Sequence, residues 1–329
     1  GDGSAPAPGS RAARDPPGMV PALQVADCHT DLLLGVTVQR DLGNDGRFAD
    51  FWLPQLHAGN VRLVVLPVYT EDWFTGEAAL RRALTTIETA RRVADRYSED
   101  VTLVTTSSEL RETQDAGRIA LVLAFEGMEP VGADVELIDT FWRLGVRMAS
   151  RTWNRRTPFA DGLGERDSGA GLTELGVKAV ERMERLGMIL DVSHLSDAGF
   201  EHITQVAARP FVASHSSCRA VHGHPRNLTD EMLRAIVASG GFACMNAYGG
   251  FVGDDSPTVE SYVDHIEHAV GVVGAEHVGL GCDFVADIFA QLDPIVGGIL
   301  LEPDQLGTIE GIERPADLAR LGPQLIERL

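Results

Sequence analysis

Lysine is almost absent from this chain. Lys178 is the only one, so arginine supplies every other positive side chain among 28 basic residues. Against them stand 48 acidic residues, giving a formal net charge of −20. A surface that acidic repels phosphate backbones and anionic headgroups, which argues against nucleic acid or anionic lipid as the main partner. Long apolar runs are missing too. None reaches the roughly 18–20 residues a membrane helix needs. The 4 cysteines, Cys28, Cys218, Cys244 and Cys282, are scattered without a CxxC pair. That excludes a disulfide framework and leaves small buried apolar residues as the expectation. Residues 1–20 lack the apolar core of an intact secretory signal. Their Gly, Ala, Pro and Arg content reads as a flexible leader, and a cytoplasmic protein is the expectation.

What is present is globular: 44% hydrophobic and 23% charged residues. A length of 329 residues accommodates two ordinary domains or one large α/β barrel. Short apolar runs predict eight strands: Val25–His29, Val61–Val68, Ile119–Phe125, Val146–Ser150, Met188–Val192, Phe211–Ser214, Phe242–Asn246 and Val278–Cys282. Between them lie helical patterns at Glu77–Tyr97, Val135–Leu144, Thr173–Leu186, Asp197–Ala207, Thr229–Ser239 and Val259–Val273. In the third, Val177, Val180, Met183 and Leu186 recur every three residues, Thr173 can cap the start, and Gly187 can close the end. Near-continuous apolar strands alternating with amphipathic helices indicate a parallel sheet covered on both faces. Eight such units in one domain, residues 21–329, fit a (β/α)8 TIM-type barrel better than an open sheet. No G-x-G-x-x-G follows the first strand.

Barrel active sites lie at the C-terminal ends of the strands. Those ends read Asp27-Cys28-His29-Thr30-Asp31, Glu126-Gly127, Asp191-Val192-Ser193-His194, Ser214-His215-Ser216 and Gly281-Cys282-Asp283. Distant segments thus deliver His29, Asp31, Glu126, His194 and His215 to one mouth. In His-x-Asp, alternate residues of a strand point the same way, so both can reach one ion. Imidazole with carboxylate suits Zn²⁺ or a similar divalent metal. Five ligands are too many for one catalytic zinc and suit two ions sharing a carboxylate. His57, His202 and His277 read as surface residues. His265 and His268, three apart on a helix, read as a solvated face; His222 and His224 flank Arg226, with lining of the pocket rim the less favoured reading.

These residues carry a resemblance. From about residue 25 to 320 the chain resembles the renal (membrane) dipeptidase family of zinc peptidases, within the amidohydrolase-like barrels. His29-Thr30-Asp31-Leu32 resembles its opening metal motif, and Phe125-Glu126-Gly127 its bridging glutamate. The run from Arg185 to His194 (RLGMILDVSH), then FVASHSSCR from Phe211, Pro225-Arg226-Asn227-Leu228, and HVGLGCDF from His277 match further signatures. The resemblance implies that His29 and Asp31 hold one zinc, His194 and His215 the other, and that Glu126 bridges the two. It implies that Arg226 binds the substrate's C-terminal carboxylate and that Asp283 is the acid/base. Lys178 lies mid-helix, so a bridge of carbamylated lysine on a strand is excluded and a glutamate bridge remains.

Two positions depart from the pattern. Trp153 stands where mammalian members carry a histidine contacting the developing oxyanion, so it is a candidate substrate contact with that role weakened or moved. Asp283-Phe284 is followed by Val285-Ala286 rather than Asp-Gly. The expectation is a binuclear zinc dipeptidase acting on small dipeptides with a free C-terminal carboxylate, a D-residue being tolerated there, with homodimerisation open. The alternatives are the same barrel retuned to a non-peptide amide or natural-product intermediate, and a metal-binding protein with little turnover.

Overall fold

The computed structural model describes residues 23–291 and 307–329; the predicted leader at 1–20 lies outside them. Nine strands are present among these residues: β1 (Val25–Asp27), β2 (Val61–Tyr69), β3 (Val101–Leu103), β4 (Ile119–Glu126), β5 (Val146–Ser150), β6 (Ile189–Asp191), β7 (Phe211–Val212), β8 (Ala243–Asn246) and β9 (Val278–Gly281). All ladder pairs are parallel, in the order β7-β6-β5-β4-β2-β1-β9-β8. A parallel bridge from Ala213 to Ala243 joins the two ends, so eight staves form a nearly closed barrel with alternating helices. These eight are the predicted strands. The ninth, β3, pairs with the start of β4 through Val101 opposite Ile119.

Strand alternation sorts the apolar side chains. On β2, Val64, Leu66 and Val68 face the helices and join the main core, whereas Val65, with Leu63 against it, belongs to a separate small cluster. Ala124 of β4, Met148 of β5 and Val212 of β7 complete that cluster, the layer filling the barrel interior. By the same parity Tyr69 and Glu126, register partners at the ends of β2 and β4, stand above it at the mouth.

The outer helices follow the predicted pattern closely. Thr173 caps Glu174–Leu186 by accepting from the Gly176 N–H, and Gly187 ends it in the left-handed region at φ 78°. Gly281 is required by a close approach instead: a Cβ there would lie 1.9 Å from the Ser214 carbonyl oxygen. Its absence lets the segment carrying His215 sit against β9. No helix among the described residues is long and apolar enough to cross a membrane.

The structure adds helices the pattern did not show, at Leu32–Asp41, Leu53–Ala58 and Ser107–Asp115. It also corrects a histidine. His265 is fully buried rather than solvated, because its Nδ1 accepts from the Cys218 N–H at 2.9 Å and its Nε2 donates to the Val252 carbonyl at 3.0 Å. His268 pairs with Asp230 at 2.8 Å. Cys218, Cys244 and Cys282 are buried as expected, and Cys28 partly so.

Candidate metal centre

The first two donors leave the barrel just past β1. Asp27 accepts from the N–H groups of His29 at 3.2 Å and Cys282 at 2.9 Å and from the Thr30 hydroxyl, tying the β1 exit to the β9 exit. Burial pushes the Asp27 carboxyl up to about 6 despite these donors. His29, Asp31, Glu126, His194 and His215 are all buried. Glu126 lies at their centre. Its Oε2 is 3.5 Å from His29 Nε2, while its Oε1 is 3.0 Å from His194 Nε2 and 3.5 Å from His215 Nε2. One carboxylate therefore presents one oxygen to each half of the donor set. Asp31 Oδ2 and Asp283 Oδ1 approach His29 Nε2 at 4.0 and 3.8 Å. The structure thus brings all five expected ligands and Asp283 together.

Neighbours fix how the imidazoles point. The Ser214 hydroxyl donates to Asp191 Oδ2 at 2.5 Å, so at 2.7 Å it accepts from His215 Nδ1–H. His194 Nδ1–H likewise donates to Asn154 Oδ1 at 3.2 Å. Each outer nitrogen carries the proton, which leaves the two Nε2 lone pairs facing each other at 2.9 Å. Two acceptors at that distance need a cation or proton between them. His29 Nε2 is a further buried nitrogen at this centre, 3.5 Å from Glu126 Oε2. Orphaned acceptors among carboxylates are what a divalent cation satisfies. Among the described residues, two groups have ligand atoms close enough to hold an ion: His29, Glu126 and His215, and His29, Asp31 and Asp283.

The electrostatics match. Burial disfavours an imidazolium at His29, yet Glu126, Asp31 and Asp283 raise it to about 10. Burial also opposes ionisation of Glu126, but the His29 charge beside it holds its pKa well below the usual range. Burial and the Glu126 charge push Asp31 up. Burial and Arg226 keep His194 neutral, and burial, His29 and Arg226 do the same for His215. Two backbone residues here adopt left-handed φ without being glycine, His194 at 70° and Asp283 at 57°. Strain of this kind persists only where the surroundings over-determine it, and it concentrates at functional sites.

Arg226 is buried beside this cluster. It donates from Nη1 to Ser216 Oγ at 2.5 Å and from Nη2 to the His215 carbonyl at 2.7 Å, leaving Nε without a partner. The Trp153 ring lies 6.0 Å from His194 and 5.3 Å from Tyr69. His222 and His224 stack at 6.3 Å, and His224 Nδ1 accepts from the Arg226 N–H at 3.1 Å. Sequence reasoning missed Tyr69, Asn154, Asn246 and the Asp191–Ser214 pair. Asn246 donates to Asp283 Oδ2 at 2.9 Å. Both Tyr69 and Asn246 end strands, so the rule that found the ligands marks them as well.

A nearly closed parallel barrel with this donor set at its C-terminal mouth is the architecture of metal-dependent hydrolase barrels. The chain belongs to the membrane dipeptidase family, peptidase family M19, whose model matches residues 18–293. It is 35% identical over 209 residues to dipeptidase verJ of Clonostachys rogersoniana, covering 63% of this chain and 53% of that protein. An uncharacterized dipeptidase, C965.12, of Schizosaccharomyces pombe is 33% identical over 221 residues, 65% of this chain and 53% of that one. The chain thus spans about half the length of these curated relatives. Among solved structures, a metallo peptidase from Rhodobacter sphaeroides liganded with a phosphinate mimic of the dipeptide L-Ala-D-Ala superposes with a TM-score of 0.81 at 25% identity, over 93% of both chains. The dipeptidase AC, an M19 metallo peptidase, gives 0.81 at 26% identity, over 93% of this chain and 92% of that one.

Proposed function

We propose that this chain is a binuclear zinc dipeptidase hydrolysing the amide bond of dipeptides with a free C-terminal carboxylate. The observation that carries the reading is Glu126, with one oxygen toward His29 and the other toward His194 and His215. His29 and Asp31 would hold one zinc, His194 and His215 the other, with Glu126 between them. When bound, such a pair supplies Lewis acidity toward the scissile carbonyl and toward the attacking water. Asp283, held by Asn246 and facing His29, accepts the water's proton and returns it to the leaving amine. Arg226, charged and buried, holds the substrate carboxylate at a fixed distance from the scissile bond, which rejects longer peptides. Tolerance of a D-residue at the C-terminal position is supported by the L-Ala-D-Ala mimic in the Rhodobacter sphaeroides peptidase.

A panel of L,L- and L,D-dipeptides, their C-terminal amides and non-peptide amides, run with zinc-reconstituted protein and elemental analysis, tests the reading. The expected result is cleavage of free dipeptides with near two zinc equivalents, falling clearly in Glu126→Ala. One tight ion at most, or cleavage confined to non-peptide amides, would reject it.

A further inference from the structure

We propose that the Tyr69 hydroxyl is the hydrogen-bond donor to the scissile carbonyl oxygen as that oxygen gains charge. The inference rests on the dipeptidase reading above and fills the role that Trp153 leaves open. Tyr69 ends β2 in direct register with Glu126 on β4. It shares strand parity with Leu63 and Val65, which fill the interior layer, so its ring rises from that layer beside the bridging carboxylate. The ring packs edge-on against Trp153 at 5.3 Å and 67°, and Trp153 in turn lies 6.0 Å from His194. Tyr69, Trp153, His194 and Glu126 thus form one continuous wall.

That wall is bolted in place. Arg155, two residues past Trp153, donates to the Asp72 carbonyl at 3.0 Å and pairs with the Asp72 carboxylate at 3.1 Å, three residues past Tyr69. The two loops cannot separate without breaking both contacts. The hydroxyl itself has no protein partner among the described residues. The other deeply placed phenol behaves differently: the Tyr262 hydroxyl donates to the Met245 carbonyl at 2.7 Å. Burial and the Asp72 charge push the Tyr69 phenol up. A donor on a strand in register with the bridging carboxylate is held more rigidly than the Trp153 indole, which sits on a loop.

In the step served, water oxygen bonds to the carbonyl carbon and the C=O π pair moves onto oxygen, where the Tyr69 O–H meets it. No proton leaves Tyr69. Collapse re-forms C=O and breaks C–N, and the amine nitrogen takes the proton carried by Asp283.

The test is Tyr69→Phe in the full, zinc-loaded chain, which keeps the ring and removes only the hydroxyl. Three readouts accompany it: zinc content, kcat and KM on a cleaved dipeptide, and Ki for a phosphinate dipeptide isostere. Removing one such donor costs about 10²-fold in kcat. A transition-state mimic should weaken by the same factor while KM and zinc content hold. Wild-type kcat and Ki in Tyr69→Phe would overturn the proposal, as would a rise in KM with kcat intact. Failure of the wild-type chain to cleave any dipeptide would overturn the dipeptidase reading, and this inference with it.

Discussion

Ser214 is the most informative outer contact of the candidate metal centre, because its single hydroxyl decides where the His215 proton sits. The hydroxyl is 2.5 Å from Asp191 Oδ2 and 2.7 Å from His215 Nδ1, and both Ser214 and His215 are fully buried. In Ser214→Ala the imidazole N–H has no acceptor and no water to replace it. Either the donor stays orphaned, at about 1–3 kcal/mol, or the proton moves to Nε2, where a metal needs the lone pair. Both routes weaken metal binding through linkage, by roughly 5- to 150-fold at 1.4 kcal/mol per decade. Outer partners of ligating histidines elsewhere cost about 10- to 100-fold, the same range. Asp191 keeps the Ser193 and Ser214 backbone N–H groups at 3.0 Å, so the loop should hold its shape and the loss should stay local. Competition against a chromophoric zinc chelator measures the affinity of each ion, with melts in excess chelator as the folding control. One zinc should weaken far more than the other. Unchanged affinity of both would refute the tautomer argument.

Three further predictions concern stability and specificity. Gly281→Ala places a Cβ 1.9 Å from the Ser214 carbonyl oxygen and 2.9 Å from its carbon, so backbone must move. The cost should exceed about 3 kcal/mol, the top of the usual overpacking range, and a wild-type Tm would refute it. Glu129 is raised by burial from the ordinary 4.5 to about 7. The folded state then holds a proton that the unfolded chain has lost, so this contribution is complete below about 4.5 and disappears as pH rises through about 7. Glu129→Gln should gain stability relative to wild type between pH 5 and 8, by up to about 3 kcal/mol; parallel Tm–pH profiles would reject the shift. Arg226→Lys keeps the charge but loses the fork, so kcat/KM for a dipeptide should fall about 10- to 150-fold, from 1.5–3 kcal/mol. Its C-terminal amide should barely change, and equal losses would reject carboxylate recognition.

The barrel was legible in the chain because each stave carries its own local signal. β2 and β4 are apolar at nearly every position, and helices such as Glu174–Leu186 announce both ends, with Thr173 as cap and Gly187 as stop. Elements without that signal were missed. β3 is three residues long, and Ser107–Asp115 has no apolar stripe, although its Thr106–Glu109 capping box stood in the sequence. The clustering of the candidate donors was legible for a related reason: the barrel rule assigns strand ends to one face, and the residue types at those ends suit a divalent metal.

Other features depended on the tertiary structure. His265 and His268 share a spacing that reads as one solvated face, yet packing against Cys218 and Val252 buries the first and leaves the second pairing with Asp230. The strand ends placed Glu126 at the mouth, but only ring closure divided its two oxygens between histidines 29, 194 and 215. Tyr69 lay just past the predicted Val61–Val68 strand until register set it beside Glu126. Periodicity reports which way a side chain points from its own backbone, a property of a few consecutive residues. Whether atoms from segments 60 to 100 residues apart meet at 3 Å depends on strand order, register and closure, which arise only when the whole sheet forms.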